Sequence, residues 1–66
     1  MSDRITVGHI QLQADIDRIQ RAARVAIQSQ HDRARRTHRV TVASQADADA
    51  FRTAAEAIGL ADEISD

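Results

Sequence analysis

The sequence predicts a small α/β or α+β domain with the element order β-α-β-α, containing one long helix and one shorter helix. Three observations lead to this prediction. Apolar residues recur with helical spacing over 12–27, residues 38–43 alternate like a strand and lead into a capped helix, and large apolar side chains are scarce. We expect a single domain over 1–60, completed by dimerisation, and an acidic, frayed tail over 61–66.

Residues 4–7 allow two predictions. In the stretch "RITVG", the β-branched residues Ile5 and Val7 alternate with a polar residue, which favours a strand, and Gly8 then breaks the pattern. Carried backward, however, the apolar spacing of the following helix reaches Ile5, so these residues would instead extend that helix from near Ser2. We prefer the strand, and the sequence leaves the helical extension open.

A long helix is predicted over 15–36. Apolar side chains follow one face in steps of four and three, and a further isoleucine widens that face: Leu12, Ile16, Ile19, Ala23, Ala26 and Ile27. Aspartates lie in the first turns and arginines in the last, which suits the helix dipole. In the predicted order this helix would be a right-handed crossover between two parallel strands.

The second half of the chain predicts a strand followed by a capped helix. In "HRVTVAS", Val40 and Val42 point to one side of a strand. Ser44 is the predicted N-cap of the helix. Gly59 is its predicted left-handed C-cap, after which Leu60 folds back over the last turn.

The supply of large apolar side chains is too small for us to expect a closed interior in one chain. Alanine accounts for 13 of the 28 hydrophobic residues, Phe51 is the single aromatic residue, and the chain contains no cysteine. We therefore expect a homodimer in which the Val40–Val42 strands pair across a two-fold axis and cover a bare sheet edge. The residues expected in the core or the dimer interface are Leu12, Ile16, Ile19, Ile27, Val40, Val42, Phe51 and Ile58.

Positive charge is concentrated in the middle of the chain. The net charge of −1 combines −2 over 1–17, +6 over 18–39 and −5 over 40–66, and all nine basic residues other than histidine are arginine. A row of arginines suits contact with a nucleic-acid backbone, where neutralising phosphates releases counterions. The contacts of such a nucleic-acid-binding regulator would be Arg21, Arg24, Arg33, Arg35, Arg36 and Arg39.

A simpler interpretation places these arginines at a helix C-terminus, where they pair with the acidic second half of the chain. No aromatic residue accompanies them to stack bases, and the protein as a whole is slightly acidic. The sequence leaves open whether the cluster binds phosphate or pairs with carboxylates.

The sequence contains no recognisable catalytic, metal or cofactor motif. His31 and His38 are seven residues apart, which on a helix is two turns and too far for one ion. A glycine-rich phosphate loop and a nucleophile motif are both absent from the chain. We expect no enzymatic activity, no metal and no cofactor.

The segment "VTVASQADADAFRTAAEAIGL", residues 40–60, resembles the strand, capped helix and Gly-Leu ending of short actinobacterial and actinophage proteins of unknown activity. The resemblance implies an origin in that lineage. Because no apolar stretch could cross a bilayer and no signal pattern is present, we expect a cytoplasmic protein without membrane contact. Its expected function is that of a non-enzymatic protein–protein interaction or regulatory module that acts as a homo-oligomer and binds a further protein. A third possibility is a phage component that binds only inside a larger assembly.

Overall fold

Two α-helices pack on one face of a four-stranded antiparallel sheet. The structure is a computed structural model and describes residues 3–65. Its elements in chain order are β1 (Ile5–Ile10), α1 (Gln13–Ala23), β2 (Gln28–Asp32), β3 (Thr37–Val42), α2 (Gln45–Ala57), a 3-10 turn (Ala61–Glu63) and β4 (Ile64–Ser65). The strand order β2-β3-β1-β4 is the ferredoxin-like, split β-α-β arrangement. The predicted small α+β class is confirmed, and two strands are added to the predicted element order.

Helix α1 ends at Ala23, so the predicted continuation to residue 36 is wrong. Arg24 adopts a left-handed conformation with φ 58°, and its N–H donates to the carbonyl of Gln20 at 2.8 Å. The chain then becomes extended, and alternate residues Val25 and Ile27 pack against the core. The polar residues that follow offer nothing apolar for a continued helix to bury, and they form β2 instead.

Strand β3 lies between β1 and β2 and is antiparallel to both. The two predicted strands, β1 and β3, are therefore neighbours but antiparallel. The predicted parallel arrangement is wrong because the additional strand β2 reverses the chain direction before β3. Since β3 is an interior strand, its backbone groups are already paired on both sides. The expected two-fold pairing of Val40–Val42 strands cannot form in this fold.

Strand β1 begins at Ile5, one residue after the predicted start, and continues through Gly8 to Ile10, so the helical alternative is wrong. A Cβ atom on Gly8 would lie 2.7 Å from Cγ2 of Ile64 and 2.8 Å from the carbonyl oxygen of Ser65. Glycine therefore permits the close approach of β4 to β1.

Helix α2 has both of the predicted caps. The hydroxyl of Ser44 accepts a hydrogen bond from the Asp47 N–H at 3.2 Å. At the other end Gly59 has φ 77°, and the N–H of Leu60 donates to the Ala55 carbonyl at 2.8 Å, as in a Schellman motif. Neither of the two helices within residues 3–65 has the length and apolar composition needed to span a membrane.

The core closes within one chain, contrary to the expectation from composition. Its largest fully buried side chains are Phe51, Ile10, Ile16, Ile19, Val7, Val40 and Val42. Three small residues of α2, namely Ala48, Ala54 and Ala55, complete the cluster, and their size lets the helix approach the sheet closely. Two of the other residues expected in the core or interface, Ile27 and Ile58, are partly buried, and Leu12 lies outside the core at 56% exposure.

The segment predicted as a frayed tail is ordered over residues 61–65. After the 3-10 turn, Ile64 and Ser65 pair with Ile10 and His9 of β1. The Ser65 hydroxyl also donates to the His9 carbonyl at 3.3 Å. The last residue of the predicted tail, Asp66, lies outside the described residues.

Candidate binding surface on the β2–β3 hairpin

The sheet face that points away from the helices is polar. Because Val40 and Val42 point into the core, the alternate residues of β3 and their cross-strand partners point to the other side. This surface, called the open face below, carries Thr6, His9, Gln28, Gln30, Asp32, Thr37, Arg39 and Thr41. Burial on one face only is common in antiparallel sheets, and it leaves the exposed members of this set, Thr6, Gln28, Gln30 and Arg39, available for contacts.

His9 connects the central strand β1 to the hairpin. Its Nε2 atom lies 3.5 Å from Oδ2 of Asp32, and its Nδ1 atom lies 3.3 Å from Nη1 of Arg35. The residue is 8% exposed. With its proton on Nε2, His9 leaves Nδ1 able to accept from the guanidinium, while Nε2 faces the carboxylate. One imidazole thus links three parts of the chain.

Asp32 organises the turn between β2 and β3. Its Oδ1 atom accepts hydrogen bonds from the N–H groups of Ala34 at 3.0 Å and Arg35 at 3.2 Å, while Oδ2 faces His9. Such aspartate-to-backbone bonds are typical of tight turns. Arg36, with φ 54°, completes the turn. Both carboxylate oxygens are therefore committed to partners in the hairpin and β1.

Two further arginines are hydrogen-bonded on the open face. Nη2 of Arg39 donates to Oε1 of its cross-strand neighbour Gln30 at 2.9 Å. Arg4 donates to the hydroxyl and the carbonyl oxygen of Thr41, each at 2.9 Å. These bonds fix the positions of two guanidinium groups on the sheet.

A polar depression of about 220 Å³ lies beside β2. Its lining residues are Gln30, His31, Asp32, Arg33 and Arg39. Arg33, in the exposed turn, makes no hydrogen bond or ion pair with any other residue of the described range 3–65. The depression is therefore lined by Arg39, which is hydrogen-bonded to Gln30, and by Arg33, whose guanidinium has no partner within residues 3–65.

A second depression, of about 180 Å³, is lined by Arg52, Glu56, Ala61 and Ile64. The Arg52 guanidinium donates to the carbonyl oxygen of Val7 at 2.8 Å, next to the bulge in β1. Glu56 and Arg52 are the charged residues that line this space, and Arg52 is already hydrogen-bonded to the backbone. We assign Arg52 a structural contact.

Four of the six arginines predicted to contact nucleic acid lie together. The hairpin carries Arg33, Arg35, Arg36 and Arg39. Arg21 lies in the last turn of α1 and Arg24 directly follows that helix. The chain then enters β2 at Gln28, at the end of the sheet remote from the hairpin turn, so these two arginines are separated from the other four.

His31 and His38 are direct cross-strand neighbours, not residues two helical turns apart as the predicted helix implied. Their ring centroids lie 5.4 Å apart, with a tilt of 50° between the rings. Within residues 3–65, no group of three or more metal-ligating side chains is arranged to hold a metal ion.

His9, Gln30 and Asp32 are not among the site residues predicted from the sequence. A signal for Asp32 was present, because an aspartate ahead of a short polar run often starts a turn. His9 and Gln30 carry no such local signal, since their partners lie far away in the sequence.

Comparisons with known proteins identify no relative. No family model, no curated protein and no solved structure matches this chain. A ferredoxin-like sheet is found with many unrelated activities, so the fold itself assigns none. The features of this chain that bear on function are therefore the open face, the hairpin and the edge of β2.

Proposed function

We propose that the protein is a cytoplasmic, non-enzymatic interaction module that assembles with a second copy of itself along the outer edge of β2. The observation that carries the proposal is the position of β2, a five-residue strand at the end of the sheet order. Its residues Gln28, Ser29, Gln30 and His31 are all exposed. An outer strand presents unpaired N–H and C=O groups, which can bind an added strand.

Strand β2 lacks several of the features that commonly protect an exposed edge, and its one charged residue, Asp32, lies at its end. The Gln28–Asp32 segment has no proline and no lysine or arginine, and its pairing with β3 contains no bulge. The opposite edge is formed by β4, which is two residues long. These properties favour β2 over β4 as the pairing edge.

A second copy suits this edge because the strand is complementary to itself. Antiparallel pairing centred on Gln30 would place Gln28 of one copy opposite Asp32 of the other, and Ser29 opposite His31. Such pairs bring together polar groups without opposing like charges. The joined sheet would have eight strands related by a two-fold axis.

Ser29→Lys tests this assembly, with Ser29→Thr as its matched control. Lysine would place like charges close together beside the two-fold axis, whereas threonine keeps the strand preference. At roughly 100 µM we expect sedimentation to give twice the single-chain mass for the wild type and the threonine variant, and the single-chain mass for the lysine variant. A single-chain mass for the wild type would overturn the proposal.

A nucleic-acid-binding regulator is a second candidate, favoured by the four arginines on one hairpin. Arg33 and Arg36 are exposed and make no hydrogen bond within residues 3–65, so both can contact phosphates. Binding to duplex DNA should then weaken steeply with salt, and Arg33→Ala combined with Arg36→Ala should reduce the salt slope by about 2. The control pair Arg18→Ala and Arg21→Ala, on α1, should leave the slope unchanged. Absence of any mobility shift at low salt would exclude this candidate.

A further inference from the structure

We propose that the depression beside β2 binds a single phosphate group between Arg33 and Arg39. The inference concerns the five residues that line this space and does not depend on assembly through the β2 edge. The space, about 220 Å³, has room for a tetrahedral oxyanion with bound water.

The two arginines supply complementary parts of such a site. Arg39 uses one guanidinium nitrogen on Gln30 at 2.9 Å, which fixes its position and leaves other N–H donors for a ligand. Arg33 has no partner within residues 3–65 and can turn towards the same ligand. A guanidinium can donate two parallel hydrogen bonds to phosphate oxygens, which favours this anion over a spherical one.

The carboxylate of Asp32 also lines the depression, yet it does not cancel the attraction for an anion. Oδ1 accepts two backbone N–H groups and Oδ2 faces His9, whose other ring nitrogen contacts Arg35. These partners offset the negative charge locally. Arg33 and Arg39 are then the charges left to act on a ligand.

His31 also lines the depression, although its ring is turned to the other side of the sheet. The ring lies beside that of His38, with the centroids 5.4 Å apart, so the expected ligand donors are the two guanidinium groups. The second depression offers no comparable site, because its single arginine is bonded to the backbone and stands beside Glu56.

The test is an NMR titration of the ¹⁵N-labelled full chain with inorganic phosphate, against sodium chloride at the same ionic strength. We expect saturable shifts centred on Gln30, His31 and the guanidinium groups of Arg33 and Arg39. Arg33→Gln and Arg39→Gln should each raise the dissociation constant for phosphate roughly tenfold. Arg18→Gln, an exposed change on α1, should leave it within about twofold.

A phosphate group can come from a free ion, from a small ester or from a nucleic-acid backbone. Parallel titrations therefore use inorganic phosphate, a mononucleotide, and a short oligonucleotide without a terminal phosphate. Saturation by either of the first two supports the site and assigns it to terminal phosphate. Binding of the oligonucleotide alone would overturn it, as would shifts that chloride reproduces or that survive both glutamine substitutions. The mass of the wild-type protein in sedimentation tests the β2 assembly separately.

Discussion

The two faces of the sheet hold the molecule together by different interactions. On the helix-covered face, Ile19, Val40 and Phe51 are completely buried, and burial of apolar area contributes roughly 25 cal/mol per Å². On the open face, His9 and Asp32 take part in polar contacts of 3.0–3.5 Å, whose net contributions are about 1 kcal/mol each. We infer that stability depends chiefly on the first face, which leaves the second able to change its contacts when it binds.

Phe51→Ala should have the largest effect of all, because it empties the centre of the helix-covered face. We expect the free energy of unfolding to fall by about 3–5 kcal/mol, which is comparable to the whole stability of a small domain. Circular dichroism during urea denaturation measures this change in a chain without tryptophan or tyrosine. A loss below about 1 kcal/mol would contradict the inference that stability depends chiefly on the helix-covered face.

Asp32→Ala should have the largest effect on the open face. The change removes the acceptor for two turn N–H groups and the partner of His9, so we expect a loss of about 1–2 kcal/mol. Asp32→Asn is the control, because an amide oxygen still accepts the two N–H groups, and its loss should be smaller. Equal losses in urea denaturation would show that the carboxylate charge beside His9 matters more than the turn.

Ile19→Val should cost about 0.5–1.5 kcal/mol by removing one buried methylene from the helix-covered face. We expect the same variant to bind phosphate as the wild type does in the NMR titration. A higher dissociation constant for phosphate would show that packing under the sheet affects the depression on its other side.

Arg33→Gln should have the smallest effect on stability, within about 0.5 kcal/mol, because the side chain is exposed and unpartnered within residues 3–65. The same substitution weakens phosphate binding if the depression is a site. The denaturation midpoint of this variant measures the contribution of Arg33 to stability, and its titration curve measures the contribution to phosphate binding. A larger loss of stability would mean that this arginine contributes to the folded hairpin.

The segment from β3 to Leu60 could be predicted from the sequence because its signals are local. Val40 and Val42 alternate with polar residues, Ser44 caps the helix it precedes, and Gly59 ends that helix in a left-handed conformation. Each of these signals depends on residues only a few positions away.

The β2–β3 hairpin could not be predicted in the same way. Strand β2 is exposed on an edge, so its sequence "QSQHD" has no apolar alternation to reveal it. The helical spacing of α1 also continues by chance through Ala26, which is exposed in the structure. Tertiary pairing with β3 decided the conformation of this segment.

Part of the candidate surface, its arginines, could be predicted from the sequence. The charge of the arginines was visible in the sequence, but the predicted helix would have placed Arg24 and Arg33 on one continuous element. The turn at Asp32 places Arg33 and Arg39 beside one depression instead. The link from His9 to Asp32 joins residues 23 positions apart and has no local signature.

Strand β4 gives a practical route to handling the protein. It borders the sheet on the side opposite β2, with two strands between them, so the borders are about 14 Å apart. A biotin or fluorescent label attached beyond Ser65 would leave from that far border. Surface immobilisation through such a label would leave the β2 edge of the sheet facing the solution.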